Sequence, residues 1–518
     1  MDMGANLSPV LPEMVLLGGA VGTLLAGSFA ARDRQWIVRI VAIGVLLASG
    51  GFALAGPAGL VHPGAAVFTG TFTPDAATGA VRLTVVVATL LVIGLGEAEL
   101  AGTPRESETY TLLLLGGLGA DVVAGASDLL VLAVGFLLAS IPLYALIGMT
   151  RTRAAAEATL KTYLLGALLG IVMLAGVTIL AAVAGESRYA DLAARLPTAP
   201  AGLLAAGGLA VLAGLLFKAG GVPGHFWVPD AAQGAGTPSA AFVTTIPKIG
   251  ALVAIYRLVD ALPDDAGLRP LVAVLAAASM TVGNLAAFFQ TDPRRLLGWS
   301  TVSQVGYLLI PIAALGHSAL AEPALLLYLA GYAASNITAF AVVAAEPARR
   351  TLVDYRGLSA QRPWLAGALL VALLSLVGTP PTAVFVGKLT VFTAGWQGGY
   401  AWLVLVAVLN SVASLFYYLR WIGPVFTADR TGPNPDTPPG PAIRATAPVL
   451  GAFAVIVLGI TAGLVLRAVF RVGLIAHSTS FDERCTGETV GGARWRSAPV
   501  QPDTPSVGPC GFPRPLRP

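Results

Sequence analysis

The stretch LLFKAGGVPGHFWVPD, from Leu215 to Asp230, sets a lysine inside an apolar run and interrupts the backbone beside it. Lys218 is followed by Gly220, Gly221 and Pro223, and His225 lies just beyond. Glycine and proline break helical hydrogen bonding. What the break accomplishes depends on the solvent around it.

Composition identifies that solvent. The 518-residue chain is 56% hydrophobic and 11% charged, with mean hydropathy +0.79. A soluble domain carries roughly 25% charged residues, so a bilayer is the natural surroundings. Apolar runs of about 20 residues centre near 12–31, 36–56, 81–98, 109–127, 129–149, 162–183, 201–219, 238–259, 269–290, 296–315, 323–345, 364–395, 400–423 and 446–467. The fold expected is an all-α polytopic membrane protein of about fourteen transmembrane helices. The run at 364–395 is too long for one straight span and reads as a broken helix. The first run has no basic flank and no small-residue cleavage site, so it reads as a retained helix.

Basic residues mark the cytoplasmic side of short loops. Arg32 and Arg34, Arg105, Arg151 and Arg153, Arg294 and Arg295, Arg349 and Arg350, and Arg430 and Arg444 all follow odd-numbered spans. They share one side, which puts both termini on the other, with Arg188, Arg195 and Arg269 as a minority there. Basic residues at membrane flanks, without interleaved aromatics, give no nucleic-acid patch. The only cysteines, Cys485 and Cys510, are too few to ligate an iron–sulfur cluster, and a disulfide between them is open. No dinucleotide fingerprint opens a strand–helix unit. The segment Asp429–Pro441 reads as a solvent loop. From about Ser478 the chain turns polar, with seven prolines from Pro499 to Pro518, and reads as a disordered tail.

Of 31 basic residues only four are lysines: Lys161, Lys218, Lys248 and Lys388. Lys218, Lys248 and Lys388 lie inside apolar runs and Lys161 at the start of one. Arginine stays protonated almost anywhere, whereas a buried lysine can lose its proton. A charge at mid-membrane costs roughly 2.5–3.5 kcal/mol on insertion scales. A group that is sometimes charged and sometimes neutral there is better built as lysine, which is the chemistry of a proton relay. For Lys161, snorkelling to the interface is an equal alternative.

Breaks in spanning helices are tolerated where they line a hydrated cavity. Lys218 precedes one, and Lys388 follows Gly378-Thr379-Pro380-Pro381. The two breaks fall in the seventh and twelfth spans. An offset of five spans reverses orientation, so two inverted five-helix units are expected, and interrupted segments at matching positions point to the transport site. The organisation expected is an N-terminal three-helix segment over 1–108, five-helix units over 109–259 and 260–423, a loop and last span over 424–477, and the tail over 478–518. The break at Lys218 wets the helix interior. His225 either passes protons along that path or is a neutral ring bonded to freed backbone. Asp230 caps or anchors the segment's end.

FKAGGVPGHFWVPDAAQGAGTPSAAFVTTIPKIG, from Phe217 to Gly250, resembles the signature of the antiporter-like membrane subunits of respiratory complex I. LKTYLLGA from Leu160, MTVGNLAAFFQTDPRRLLGWSTVSQVGYLL from Met280, LYLAGYAASNITAFAVV from Leu327, GTPPTAVFVGKLTVF from Gly378 and LNSVASLFYYLR from Leu409 agree. Pro247-Lys248 is most similar to the subunit N branch. The resemblance runs from about Tyr110 to Arg420; the extreme ends match nothing. It implies about fourteen helices, two inverted five-helix units and a proton path along a polar axis. It also implies that Lys218, Lys248 and Lys388 are the seventh-, eighth- and twelfth-helix lysines, Lys161 the sixth-helix lysine, and His225 the histidine after the first break.

One departure stands out. The family's fifth helix normally carries a glutamate that pairs with the seventh-helix lysine, and GFLLASIPLY, from Gly135, has Leu137 there. Asp121, in the fourth span, is the nearby acid available as a substitute. Gln304 stands where a histidine is common. The resemblance implies a proton-translocating membrane subunit of NADH–quinone oxidoreductase in a bacterial plasma membrane. It implies other membrane-arm subunits as partners and no cofactor in this chain; NAD, FMN, iron–sulfur clusters and quinone belong to the partners. A subunit of a multi-subunit sodium/proton antiporter or membrane-bound hydrogenase is the alternative, and a non-conducting structural paralogue a third.

Overall fold

The computed structural model describes residues 7–31, 34–55, 67–427, 446–464 and 466. The loop at 429–441, the polar tail with Cys485 and Cys510, and Arg32, Arg430 and Arg444 lie outside the described residues. Among these residues there is no β-strand, only isolated bridges such as Val67–Phe72.

The chain is a bundle of helices: α1 (Leu11–Phe29), α2 (Trp36–Ala55), α3 (Ala76–Leu100), α4 (Glu106–Gly125), α5 (Leu129–Gly148), α6 (Arg153–Ala184), the short α7 (Tyr189–Arg195) and α8 (Ala201–Ala219). There follow α9 (Trp227–Gly234), α10 (Thr237–Val243), α11 (Ile246–Ala261), α12 (Leu268–Ala287), α13 (Pro293–Ala313), α14 (Ala321–Ala345), the single turn α15 (Leu358–Gln361), α16 (Pro363–Val377), α17 (Ala383–Gln397) and α18 (Ala401–Phe426). A last helix, α19, spans Thr446–Leu464. Side-chain caps satisfy the first amides of several: Asp75 for α3, Asp128 for α5, Thr152 for α6 and Asp292 for α13. Twelve segments of the described chain are long and apolar enough to cross a bilayer. The sequence reading of fourteen adds α4 and the α16–α17 pair.

Small residues let backbones touch, as is usual where lipid supplies no hydrophobic drive between helices. A Cβ on Gly119 of α4 would lie 2.5 Å from the Ala139 amide of α5. One on Gly283 of α12 would lie 2.4 Å from the Ser303 amide of α13, and one on Gly250 of α11 would lie 2.3 Å from the Ala120 carbonyl of α4. α13 and α14 are buried almost throughout and form the centre of the bundle. α6, α12 and α18 turn large apolar side chains outward, among them Ile171, Leu285 and Leu405.

Arginines expected on one side do gather at one end. Arg294, Arg349 and Arg350 line a polar cleft of about 500 Å³ with Gln233, Thr237 and Asp292, and Arg105 reaches the Met149 carbonyl there. The minority arginines at the other end are each neutralised: Arg188 by Asp191, Arg195 by Glu186 and Arg269 by Asp264.

Two expected spans are interrupted, and the seventh, 201–219, is the intact α8 with its break just beyond its C-terminal end. α8 ends on Gly220 at φ 78°, whose amide reaches the Leu216 and Phe217 carbonyls. α16 ends in the same way on Gly378 at φ 93°, reaching Leu374 and Ser375. Positive φ suits glycine and closes a helix C-terminus. The run at 238–259, read as one helix, is divided at Thr244–Thr245 into α10 and α11. Pro247 in the first turn of α11 has no amide to donate. Gly283→Val should force α12 and α13 apart and cost about 1–3 kcal/mol; the expected result is a lower melting temperature of the detergent-solubilised protein.

Candidate functional site

The last turn of α8 carries Lys218 into the interior, where 1% of it is exposed. Its ammonium donates to the Ser140 hydroxyl of α5 and lies 4.5 Å above the Phe136 ring. Phe136 and Ser140 are one turn apart on α5, which gives Lys218 a π face and a hydroxyl from a single helix. Among the described residues no carboxylate lies within ion-pair reach of it. Leu137 turns the other way and is 49% exposed.

Lys388, near the start of α17, reaches back to the break before it. Its Nζ donates to the Val377 carbonyl at 2.8 Å and to Ser411 Oγ of α18 at 3.0 Å. Val377 is the final residue of α16, so the break frees the carbonyl that receives the lysine. The ammonium also lies 4.1 Å above the Tyr307 ring. Gly378 is required twice: for its positive φ, and because a Cβ there would lie 2.9 Å from Lys388 Cδ.

Lys248, in the first turn of α11, is buried with no protein hydrogen-bond partner on Nζ. It lies 5.0 Å above the Tyr332 ring of α14. Polar side chains continue from there. The Tyr332 hydroxyl donates to the Thr244 carbonyl freed between α10 and α11, at 2.9 Å, and is 2.9 Å from Thr301 Oγ1. Asn336 donates to the Thr244 and Thr245 hydroxyls at 3.2 and 2.9 Å. One turn along α14, Tyr328 donates to Gln304 Oε1 at 2.5 Å, and Gln304 donates to the Leu376 carbonyl at 3.0 Å. Tyr328 and Tyr307 meet edge to face at 6.4 Å. Ser411 donates to the Tyr307 hydroxyl at 3.2 Å and closes the line at Lys388. Buried polar atoms left without a protein partner sit on the helices of this line: Ser303 Oγ and Asn336 Oδ1. Groups of this kind are where buried water is held.

The other expected residues lie elsewhere. His225 is buried between Phe226, at 4.2 Å, and Trp299, at 5.7 Å. Lys161 is on the surface, 46% exposed, 2.6 Å from Glu157 and 2.9 Å from Asp230. Asp230 is also 2.5 Å from Arg295, so it ties α9 to α6 and α13. Asp121 is fully buried and does not approach Lys218; the charges acting on it are Glu13 and Arg82. The residues that join the lysines, Ser140, Tyr307, Tyr328, Tyr332 and Ser411, are absent from the sequence-based site. Only the tyrosine pair one turn apart within LYLAGYAASN carries a signal, because two phenols facing one way in an apolar run need polar company.

A membrane bundle with a buried line of amines at its broken helices defines the class: a charge-conducting polytopic protein. Comparison makes it particular. Residues 126–414 match the family described as NADH:quinone oxidoreductase/Mrp antiporter, TM, and the chain belongs to that family. It is 53% identical over 457 residues to NADH-quinone oxidoreductase subunit N of Mycobacterium sp. (strain JLS), covering 88% of this chain and 97% of that protein. It is 51% identical over 479 residues to subunit N 1 of Streptomyces griseus subsp. griseus, covering 90% and 99%. A chain of respiratory complex I from Thermus thermophilus superposes with a TM-score of 0.74 at 30% identity, covering 89% of this chain and 99% of that one. A chain of the Mrp complex from Dietzia sp. DQ12-45-1b, at 22% identity and TM-score 0.79 over 93% of this chain and 100% of that one, shares the fold.

The Asp230 junction yields a test. Burial pushes its carboxyl up, but the hydrogen bonds and charges of Lys161 and Arg295 prevail and hold it below the usual carboxylate range. A folded value below the unfolded one means stability that is present above the unfolded value and lost as pH falls through the folded one. The wild-type melting temperature should therefore fall more steeply below about pH 4 than that of Asp230→Asn. Asp230→Asn should be the less stable protein at neutral pH.

Proposed function

We propose that this chain is a proton-translocating membrane subunit of an NADH–quinone oxidoreductase, seated among other membrane-arm subunits in a bacterial plasma membrane. The observation that carries the reading is the line from Lys248 through Tyr332, Tyr328, Gln304, Tyr307 and Ser411 to Lys388, with Lys218 on the next helix. Its likeness over nearly its whole length to proteins named subunit N supports the same conclusion.

The chain holds no redox group of its own in this reading; the NAD, FMN, iron–sulfur and quinone chemistry belongs to the partners. The oxidoreductase reaction reaches this subunit as a change of charge or shape at its border. Lys218 is the receiving group. It is held by one hydroxyl and one ring rather than by a carboxylate, so a small change in neighbouring charge or hydration shifts its protonation. The proton passes through water to Lys248, along the tyrosine–serine line to Lys388, and leaves from there. Residues 109–259 and 260–423 act as two inverted five-helix units, which the identical glycine closures at Gly220 and Gly378 support. Lys161 takes a supporting part at the surface through Asp230, and His225 lies beside the first break.

In vesicles containing the assembled complex, Lys218→Ala and Lys388→Ala should each abolish pumping per NADH oxidised. Normal pumping with normal assembly in both would leave a structural role only. Ser140→Ala, which removes the hydroxyl bonded to Lys218, should lower pumping without altering assembly, whereas Leu137→Glu, on the half-exposed face of α5, should preserve it. Equal pumping in Ser140→Ala and wild type would show that the Ser140 hydrogen bond has no part in conduction.

A further inference from the structure

Two carboxylates and one guanidinium are buried on α1, α3 and α4, helices that pack on one another. Glu13 of α1 and Arg82 of α3 form a two-pronged pair, Nε to Oε1 at 2.7 Å and Nη2 to Oε2 at 2.8 Å, and Arg82 Nη2 also donates to the Pro9 carbonyl at 2.9 Å. Arg82 is fully buried and Glu13 nearly so. Asp121 of α4 is fully buried too, and neither of its oxygens has a protein hydrogen-bond partner. Glu13 and Arg82 are the charges that act on it.

We infer that Glu13, Arg82 and Asp121 form a second proton-binding site, placed between Lys248 and the membrane face opposite the arginine-rich one. Charge counting is the first ground. Arginine keeps its proton, so the group with both acids ionised carries one net negative charge and a carboxylate without partners. An unpaired buried ion costs several kcal/mol. One proton, held by Asp121, removes that cost. No other ionisable group offers a substitute from the helices packed around α4. α5 contains none. Arg39 of α2 is paired with Glu97 of α3. On α11, Arg257 is committed to Asp75 and to the Ala124 carbonyl, and Lys248 stands over Tyr332.

Placement is the second ground. Glu13 is the third residue of α1, Arg82 the seventh of α3, and Asp121 is four residues from the end of α4. At 1.5 Å per residue the three lie roughly 3–9 Å below the helix ends. A separate polar group lies nearer the surface at the same end of α3. Arg257 bridges the Thr78 hydroxyl at 3.1 Å and Asp75 at 2.7 Å, and the Asp75 side chain is 30% exposed. On the inner side, Gly250 lies against the Ala120 backbone. The α4 turn bearing Asp121 therefore abuts the α11 turn that bears Lys248, whose amine has no protein hydrogen-bond partner. The geometry is that of an exit branch.

This inference rests on the proton-conducting reading, and the test separates the two. Infrared spectra of the purified complex should show a protonated carboxyl band, shifted by deuteration, that is lost in Asp121→Asn. Glu13→Gln should lose it as well, because the Arg82 charge then has no ionised Glu13 beside it and favours an ionised Asp121. Asp121→Asn should also lose pumping per NADH oxidised. A band that persists in Asp121→Asn, or pumping that stays at the wild-type level, overturns the site. If Asp121→Asn fails to assemble, the band in Glu13→Gln decides alone: its loss supports the site and its persistence overturns it. The Lys218→Ala and Lys388→Ala complexes run beside these, and loss of pumping in them with no effect of Asp121→Asn rejects the branch while leaving the main line intact.

Discussion

An ammonium ion enclosed by a bilayer protein must find oxygen or π electrons, and everything distinctive in this fold follows from supplying them without carboxylates. Lys218 has Ser140 and Phe136, Lys388 has Val377, Ser411 and Tyr307, and Lys248 has the Tyr332 ring. Hydrogen bonds to a charged group contribute about 1.5–3 kcal/mol each, and a desolvated cation–π contact about 2 kcal/mol. Removing an ion from water costs several kcal/mol. The two sides are close in size. A carboxylate would favour the charged form further, whereas neutral partners offset only part of the cost of burial.

The helix breaks are the structural means to that balance. An intact helix spends its carbonyls on its own amides, so it has none to offer a lysine. Ending α16 at Gly378 releases the Val377 carbonyl to Lys388, and dividing α10 from α11 releases the Thr244 carbonyl to Tyr332. Glycine closure limits the damage, because the Gly220 and Gly378 amides satisfy the carbonyls just before them. Each break therefore exposes a small, specific set of acceptors and leaves the rest of the ladder closed.

How much of this was legible in the chain differs by scale. Apolar run length marked the spans, because a bilayer imposes one length and one polarity on every crossing element. Glycine and proline beside Lys218 and Lys388 marked two breaks. The third, at Thr244–Thr245, carries no glycine, and its one proline, Pro247 in the first turn of α11, was read as part of one continuous apolar run. The lysines were legible as costly ions in an apolar run. Their companions were not: a serine such as Ser140 or Ser411 is unremarkable in a membrane helix, and pairing it with a lysine 78 or 23 residues away is a tertiary event. Lys161 shows the opposite limit, since position at the start of a run did not reveal that Asp230 would hold it at the surface. Glu13 and Arg82 sat at the margins of apolar runs, where charge is expected, and only folding showed them to be buried and paired.

The resulting line of side chains constrains how a proton travels along it. Hydroxyls of serine, threonine and tyrosine both donate and accept, so they pass a proton by exchanging roles. Gln304 is different. Its amide donates to Leu376 and its carbonyl accepts from Tyr328, and neither atom gives up a proton within the ordinary range. It is a clamp rather than a carrier: it fixes the Tyr328 hydroxyl in the donor role. Ser303 Oγ and Asn336 Oδ1, on the same two helices as Gln304 and Tyr328, have no protein partners and are the atoms to which water would bond. In the conducting reading proposed above, a glutamine in this place makes the middle of the line depend on hydration rather than on a titrating side chain.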